Sequence, residues 1–200
     1  MIKNYLALRK VVKEFRNGNK PVNGKYVFNG KDYLVKKKDE DIANLVIEAD
    51  KFVSDYIKEH GTRSLLSERL RDGFIGEEIH TENGTSFIQA TRGKPYGTAV
   101  SIFVNDHIYF GTSYISGEDS NCAFPIIGQY LALKKAIESS KTGLTSTNIK
   151  SKATKQFEHF VLRSKAYFLP DVYSYSRGTS PVEYPNYDEI KARRDKILGK

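Results

Sequence analysis

The sequence predicts an α+β fold: a three-stranded antiparallel sheet with helices packed on one face, in the order α-β-β-β-α. Three observations lead there. Residues 98–104 (TAVSIFV) and 108–115 (IYFGTSYI) are β-prone runs joined at Asn105-Asp106-His107. A polar loop over 116–121 and Pro125 then introduce an apolar stripe at helical spacing, Ile126, Tyr130, Leu133 and Ile137, which stops before Gly143. Upstream, Arg63 to Asp72 reads as a short helix with Leu65, Leu66 and Leu70 inward, and 85–91 as a strand.

A three-residue loop is expected between the two central runs. It sets Val104 opposite Ile108, Ile102 opposite Phe110 and Val100 opposite Thr112, which gathers apolar side chains on one face. A two-residue loop would divide them between both faces. Small residues at Gly128, Ala132 and Ala136 would let the following helix approach the sheet closely.

The remainder falls around this module, 63–141. Residues 1–62 hold a basic helix over 2–15, a hairpin about Asn29-Gly30 and an amphipathic helix over 39–60, whose Asp39-Glu40-Asp41 suit the positive end of a helix. Residues 142–169 form a basic helix with Phe157, Phe160, Val161 and Ser164 on one side. Residues 170–200 read as a Tyr/Pro-rich arm and a short helix. Two hundred residues fit either one ordinary domain or a small core with appended arms, and the second is expected.

Composition narrows the function classes. No apolar run approaches the roughly 18 residues of a membrane span, and the N-terminal stretch is too short and too charged for a secretory signal, so a cytoplasmic protein with no membrane contact is expected. Cys122 stands alone, which excludes an internal disulfide and argues against structural zinc. The net charge of +8 is unevenly placed. Residues 1–38 set eleven Lys/Arg against Glu14 and Asp32, and residues 39–60 set seven acids against Lys51 and Lys58. Residues 141–169 set six bases against Glu158. Basic flanks of this kind point to nucleic acid or another anionic surface. The acidic outer face of 39–60, however, is placed to pair with the basic N-terminal segment inside the same molecule.

Tyr26, Phe28 and Tyr33 interleave with Lys25, Lys31 and the triplet Lys36-Lys37-Lys38, the composition of a platform on which rings stack on bases while lysines meet phosphates. The candidate binding residues are therefore Lys25, Lys31, Lys36, Lys37 and Lys38, with Tyr26 and Tyr33 as stacking rings, joined by Lys150, Lys152 and Lys155. The bland alternative is a small sheet that buries those rings and solvates its lysines.

Read as a unit, residues 63–140 resemble the double-stranded-RNA-binding domain in element order and in the small-residue helix Gln129–Ala136. That family grips phosphates with lysines at the start of its last helix. Here Ala123-Phe-Pro-Ile-Ile127 stand in their place, so the resemblance implies a fold but not RNA contact by that face. Phe124 and Ile127 suit packing against another segment or subunit. Gly97, Val100, Gly111, Ser113, Asp119, Phe124, Gly128, Ala132 and Ala136 are also similar to a hairpin-helix pattern in small proteins of tailed bacteriophages. That likeness implies a viral origin and a host cytoplasm, and no reaction.

Catalysis is not expected. A loose likeness to the strand, strand, helix rhythm of nucleoside deaminases fails because one cysteine cannot supply their Pro-Cys-x-x-Cys pair. His60, His80, His107 and His159 share no metal-ligand spacing, no Gly-x-Ser-x-Gly frame surrounds a serine, and no phosphate-binding Gly-Lys-Ser/Thr loop is present. The sequence thus reads as a non-catalytic, cofactor-free protein that binds nucleic acid, RNA or DNA, or a host complex carrying it. The alternative is an interaction or assembly module, including self-association, through Phe124, Ile127, Tyr173 and Tyr175.

Overall fold

The computed structural model describes residues 2–71, 74–81, 84–91, 95–115, 124–143, 154–171, 173–174 and 182–183, with side chains over 6–71, 96–115, 124–143 and 154–171 apart from Lys155. In chain order the elements are α1 (Ile2–Arg16), β1 (Lys25–Phe28), β2 (Lys31–Leu34), α2 (Lys37–His60), β3 (Leu65–Arg71), β4 (Phe74–Thr81), β5 (Gly84–Thr91), β6 (Pro95–Val104), β7 (His107–Tyr114), α3 (Pro125–Thr142), α4 (Thr154–Phe168), β8 (Tyr173–Ser174) and β9 (Val182–Glu183). The fold is α+β, and its central sheet is three-stranded and antiparallel, in the order β3-β6-β7.

One member of that sheet differs from expectation. Leu65–Arg71 is a strand, not a helix, while β4 and β5 pair only with each other as a separate hairpin. The element order behind the likeness to the double-stranded-RNA-binding domain therefore opens on a strand. Physically, β3 is covered on both sides: Leu65 joins one cluster of buried residues, and Leu66 and Leu70 join another. A strand buried on both faces loses the apolar-polar alternation that would have marked it, and its leucines then mimic a helical stripe.

The same cause corrects the central hairpin. Asn105 and Asp106 both take left-handed backbone angles, φ 50° and 63°, in a two-residue turn that pairs Val104 with His107, Ile102 with Tyr109 and Val100 with Gly111. Two successive positive φ values are the signature of a type I′ turn, whose twist matches that of the flanking strands. The shorter turn does divide the apolar side chains between faces, and both faces have a use for them. Val100 and Ile102 pack with Ala132, Leu133 and Ala136 of α3, whereas Ala99 and Phe110 pack with Phe157 and Phe160 of α4.

Helix α3 supplies the expected layer on one face, and α4 closes the other. Its Phe160 is fully buried, Phe168 stacks on Phe103 at 5.7 Å, and the buried hydroxyls of Ser101 and Ser164 share a hydrogen bond of 2.8 Å. Gln156, also buried, repairs β3 where its ladder with β6 slips between Leu70 and Arg71. The Gln156 amide donates to the Arg69 carbonyl at 2.9 Å and to Glu68 at 3.0 Å, and accepts from the Arg71 N–H at 2.8 Å. Those backbone groups would otherwise be costly orphans. On the far side of α3 lies α2, whose Ala49, Val53 and Tyr56 share a cluster with Tyr130 and Leu133. Residues 37–60 and 154–168 are thus layers of the core, not arms around it.

Close approach of α3 to β7 rests on Gly111. A Cβ there would lie 2.6 Å from the Ala136 backbone nitrogen and nearer still to the Ala132 carbonyl oxygen. Gly128 faces only side-chain atoms, the hydroxyl and Cβ of Thr98 and the hydroxyl of Ser113. Backbone cannot yield as a side chain can. Gly111→Ala is therefore expected to cost more than Gly128→Ala, at or above the upper end of the ~1–3 kcal/mol typical of overpacking, as read from urea unfolding of the two variants. Among the described residues the buried Tyr56 hydroxyl has no hydrogen-bond partner. Tyr56→Phe should leave stability unchanged or raise it by about 1 kcal/mol in the same measurement.

Candidate anion-binding face and adjoining cavity

Helix α1 turns Leu8, Val11 and Val12 inward, Val12 meeting Ala43 and Val46 of α2, and this leaves Arg9, Lys10, Lys13 and Arg16 along its exposed side. Spacings of one, three and three keep those four on one helical face. Between them and Phe124, Pro125 and Ile126 runs an open groove of about 710 Å³. A second, smaller groove of about 230 Å³ separates α1 from the first hairpin, and its lining includes Lys10, Phe28, Lys31, Asp32 and Tyr33. Lys10 belongs to both, with its ammonium 5.4 Å from the centre of the Phe28 ring.

The first hairpin sits as its Asn29-Gly30 turn requires, with φ 52° and 72° at those residues. Its inner face carries Tyr26, Phe28, Lys31 and Tyr33; the outer carries Lys25, Val27 and Leu34. Tyr26 departs from its expected role as a stacking ring. It is buried, stacked on Phe28 and edge-on to Phe15, and its hydroxyl donates to the Asn19 carbonyl at 2.6 Å. The ring fills the space between hairpin and helix and is closed to a base. Lys25 forms an ion pair at 3.3 Å with Asp32, a carboxylate that also lines the smaller groove beside Lys31.

Lys31 is exposed at the groove and Tyr33 half-buried beside it, its hydroxyl donating to Asp39 at 3.3 Å. That bond ties the hairpin to the start of α2, where Lys36, Lys37 and Lys38 are all exposed. Asp39 also accepts from the Lys36 backbone N–H at 3.0 Å. Three lysines at the positive end of a helix oppose its dipole, so they add to the potential of that corner. Arg16 on the α1 face is neutralised within the chain by its ion pair with Asp50 on α2. Lys150, Lys152 and Tyr175 lie outside the described residues, as do the side chains of Lys155 in α4 and Tyr173 in β8. Phe124 and Ile127, expected to pack against another segment or subunit, pack against the cluster of Val12, Ala43 and Val46 of the same chain. In the sequence these α1 cations are visible only as part of the basic helix expected over 2–15.

A separate cavity of about 260 Å³ lies between α2, the start of α3 and the sheet. One register row of the sheet forms its floor, Arg69 on β3, Thr98 on β6 and Ser113 on β7. Its walls include Ile42, Leu45, Tyr114, Phe124, Ile127 and Leu131. This row was not legible in the sequence, because cross-strand neighbours cannot be read for a segment expected to be helical. No group of three or more His, Cys, Asp or Glu that could hold a metal is found among the described residues, and no described helix is long and apolar enough to cross a membrane.

Burial raises the Tyr26 phenol above its usual value, and the charges of Glu14 and Glu40 push the same way. The folded state therefore holds that proton more tightly than the unfolded chain. Its contribution to stability is complete below the unfolded value near 10 and is lost as pH rises through the folded one. Denaturation between pH 9 and 11 is expected to show a smaller alkaline fall in Tyr26→Phe than in the parent. Comparison with known proteins yields no match to any family model, to any curated protein or to any solved structure.

Proposed function

We propose that this protein is a non-catalytic nucleic-acid-binding module that contacts phosphates through the exposed side of α1, Lys31 and the lysines at the start of α2. The observation that carries the reading is the convergence of Lys10, Lys13 and Lys31 on two adjoining grooves, none of them ion-paired among the described residues. Leu6, Phe28, Tyr33, Phe124 and Pro125 give those grooves an apolar floor beside the cations, the pairing that single-stranded nucleic acid favours. The likeness of the hairpin and helix to tailed-bacteriophage proteins would place such contact in a host cytoplasm, on nucleic acid or on a complex carrying it. Lys25 and Tyr26 have no part in it.

Fluorescence anisotropy with a labelled oligonucleotide tests the reading. Four phosphate contacts should weaken binding about 50- to 150-fold between 50 and 200 mM salt, by the slope expected for single- or double-stranded partners. Lys10→Glu combined with Lys31→Glu should remove most affinity and flatten the salt dependence, while Lys25→Glu should change little. A salt-insensitive oligomer in sedimentation, with no affinity for DNA or RNA at 50 mM salt, would instead favour an assembly module.

A further inference from the structure

We infer that the cavity above the Arg69–Thr98–Ser113 row is a binding site for a compact apolar carboxylate, with Arg69 as counter-ion and Thr98 as hydrogen-bond donor. The inference is independent of the nucleic-acid reading. It begins with the two polar groups on the floor. Arg69 is half-buried, and its guanidinium makes no hydrogen bond or ion pair among the described residues. Thr98 is only 8% exposed and makes no side-chain hydrogen bond among those residues. Ser113 differs, since its hydroxyl donates to the Gly128 carbonyl at 2.8 Å and so offers its neighbours only an acceptor.

The acid nearest in sequence is not available to Arg69. Glu68 points to the opposite face of the sheet, where Arg163 pairs with it and Gln156 donates to it. Among the described residues no acidic side chain lines the cavity, and apart from Tyr114 its remaining side-chain lining is apolar. An arginine fork beside one hydroxyl, in apolar surroundings, matches a carboxylate in geometry and charge. A phosphate monoester, with more charge and more lone pairs, would leave most of its oxygens against Ile42, Leu45 and Phe124. A neutral hydrocarbon would leave the guanidinium desolvated and unpaired, which is unfavourable. The volume of about 260 Å³ exceeds the ~150 Å³ of an engineered apolar cavity that accepts benzene, so a bicyclic aryl acid or a medium-chain fatty acid is the right size.

The test uses the full chain, ¹⁵N-labelled, titrated with 2-naphthoate and with 2-naphthalenemethanol, which has the same ring system and no charge. Saturable shifts are expected at Arg69, Thr98, Ser113 and Gly128, with the carboxylate bound at least tenfold more tightly than the alcohol. Arg69→Gln should erase that preference while the alcohol still binds. Should Arg69→Gln not fold, the comparison of acid and alcohol on the parent chain remains decisive. The inference is overturned by equal affinity for the two, by the absence of saturation at millimolar acid, or by shifts confined to Lys10 and Lys13. That last outcome would mean the acid binds only as a counter-ion of the α1 face.

Discussion

Burial of β6 on both faces is the constraint from which the rest of the structure follows. Ala99, Val100 and Ser101 are fully buried in succession and Ile102 nearly so, which demands a layer on each side of the sheet. A strand so enclosed cannot carry charge, and the chain complies: between Pro95 and Val104 there is none. It also fixes the turn at Asn105-Asp106, because only a two-residue connection distributes the β7 side chains to match two facing helices. Ser101 with Ser164 and Gln156 with the backbone of β3 are paired inside this core, in keeping with the cost of an unpartnered polar group away from water. The Tyr56 hydroxyl and Thr98 find no such partner among the described residues.

How much was legible in the sequence depended on whether a segment kept one wet side. Helix α2 and the Asn29-Gly30 hairpin could be read almost to the residue, since period and turn chemistry agree there. Helix α3 was equally plain, because Pro125 opens it and Gly143 closes it in a left-handed conformation, φ 69°. Strand β3 was misread for the opposite reason: two partners erased its alternation, and a leucine-rich strand then resembles a helix. The residues of α4 were correctly placed on their own helix, yet nothing local could reveal that Phe157 and Phe160 complete the sheet's second face. Sites followed the same rule. Lysines near a turn are visible in sequence, but the burial of Tyr26 and the alignment of Arg69 with Thr98 and Ser113 are products of tertiary register.

Among the described residues, exposed cations are densest over α1, the first hairpin and the start of α2. Helix α3 adds Lys134, Lys135 and Lys141, and the Arg163–Glu68 pair lies between α4 and β3 with Glu68 largely buried. Phe124 and Pro125 stand at the junction, forming one wall of the basic groove and one wall of the apolar cavity. Two chemically distinct surfaces thus share a single structural partition, and the partition is the first turn of the helix that also seats on the sheet.

Gly97, Gly111 and Gly128 occupy places where the backbone of one element touches another element so closely that a methyl group would collide. They sit fourteen and seventeen positions apart, on β6, β7 and α3, and each is held by geometry that surface drift cannot relax. A side chain at any of the three would have to be met by movement of a neighbouring strand, helix or buried threonine, so tolerance to substitution there is set by the spacing between elements and not by surface chemistry.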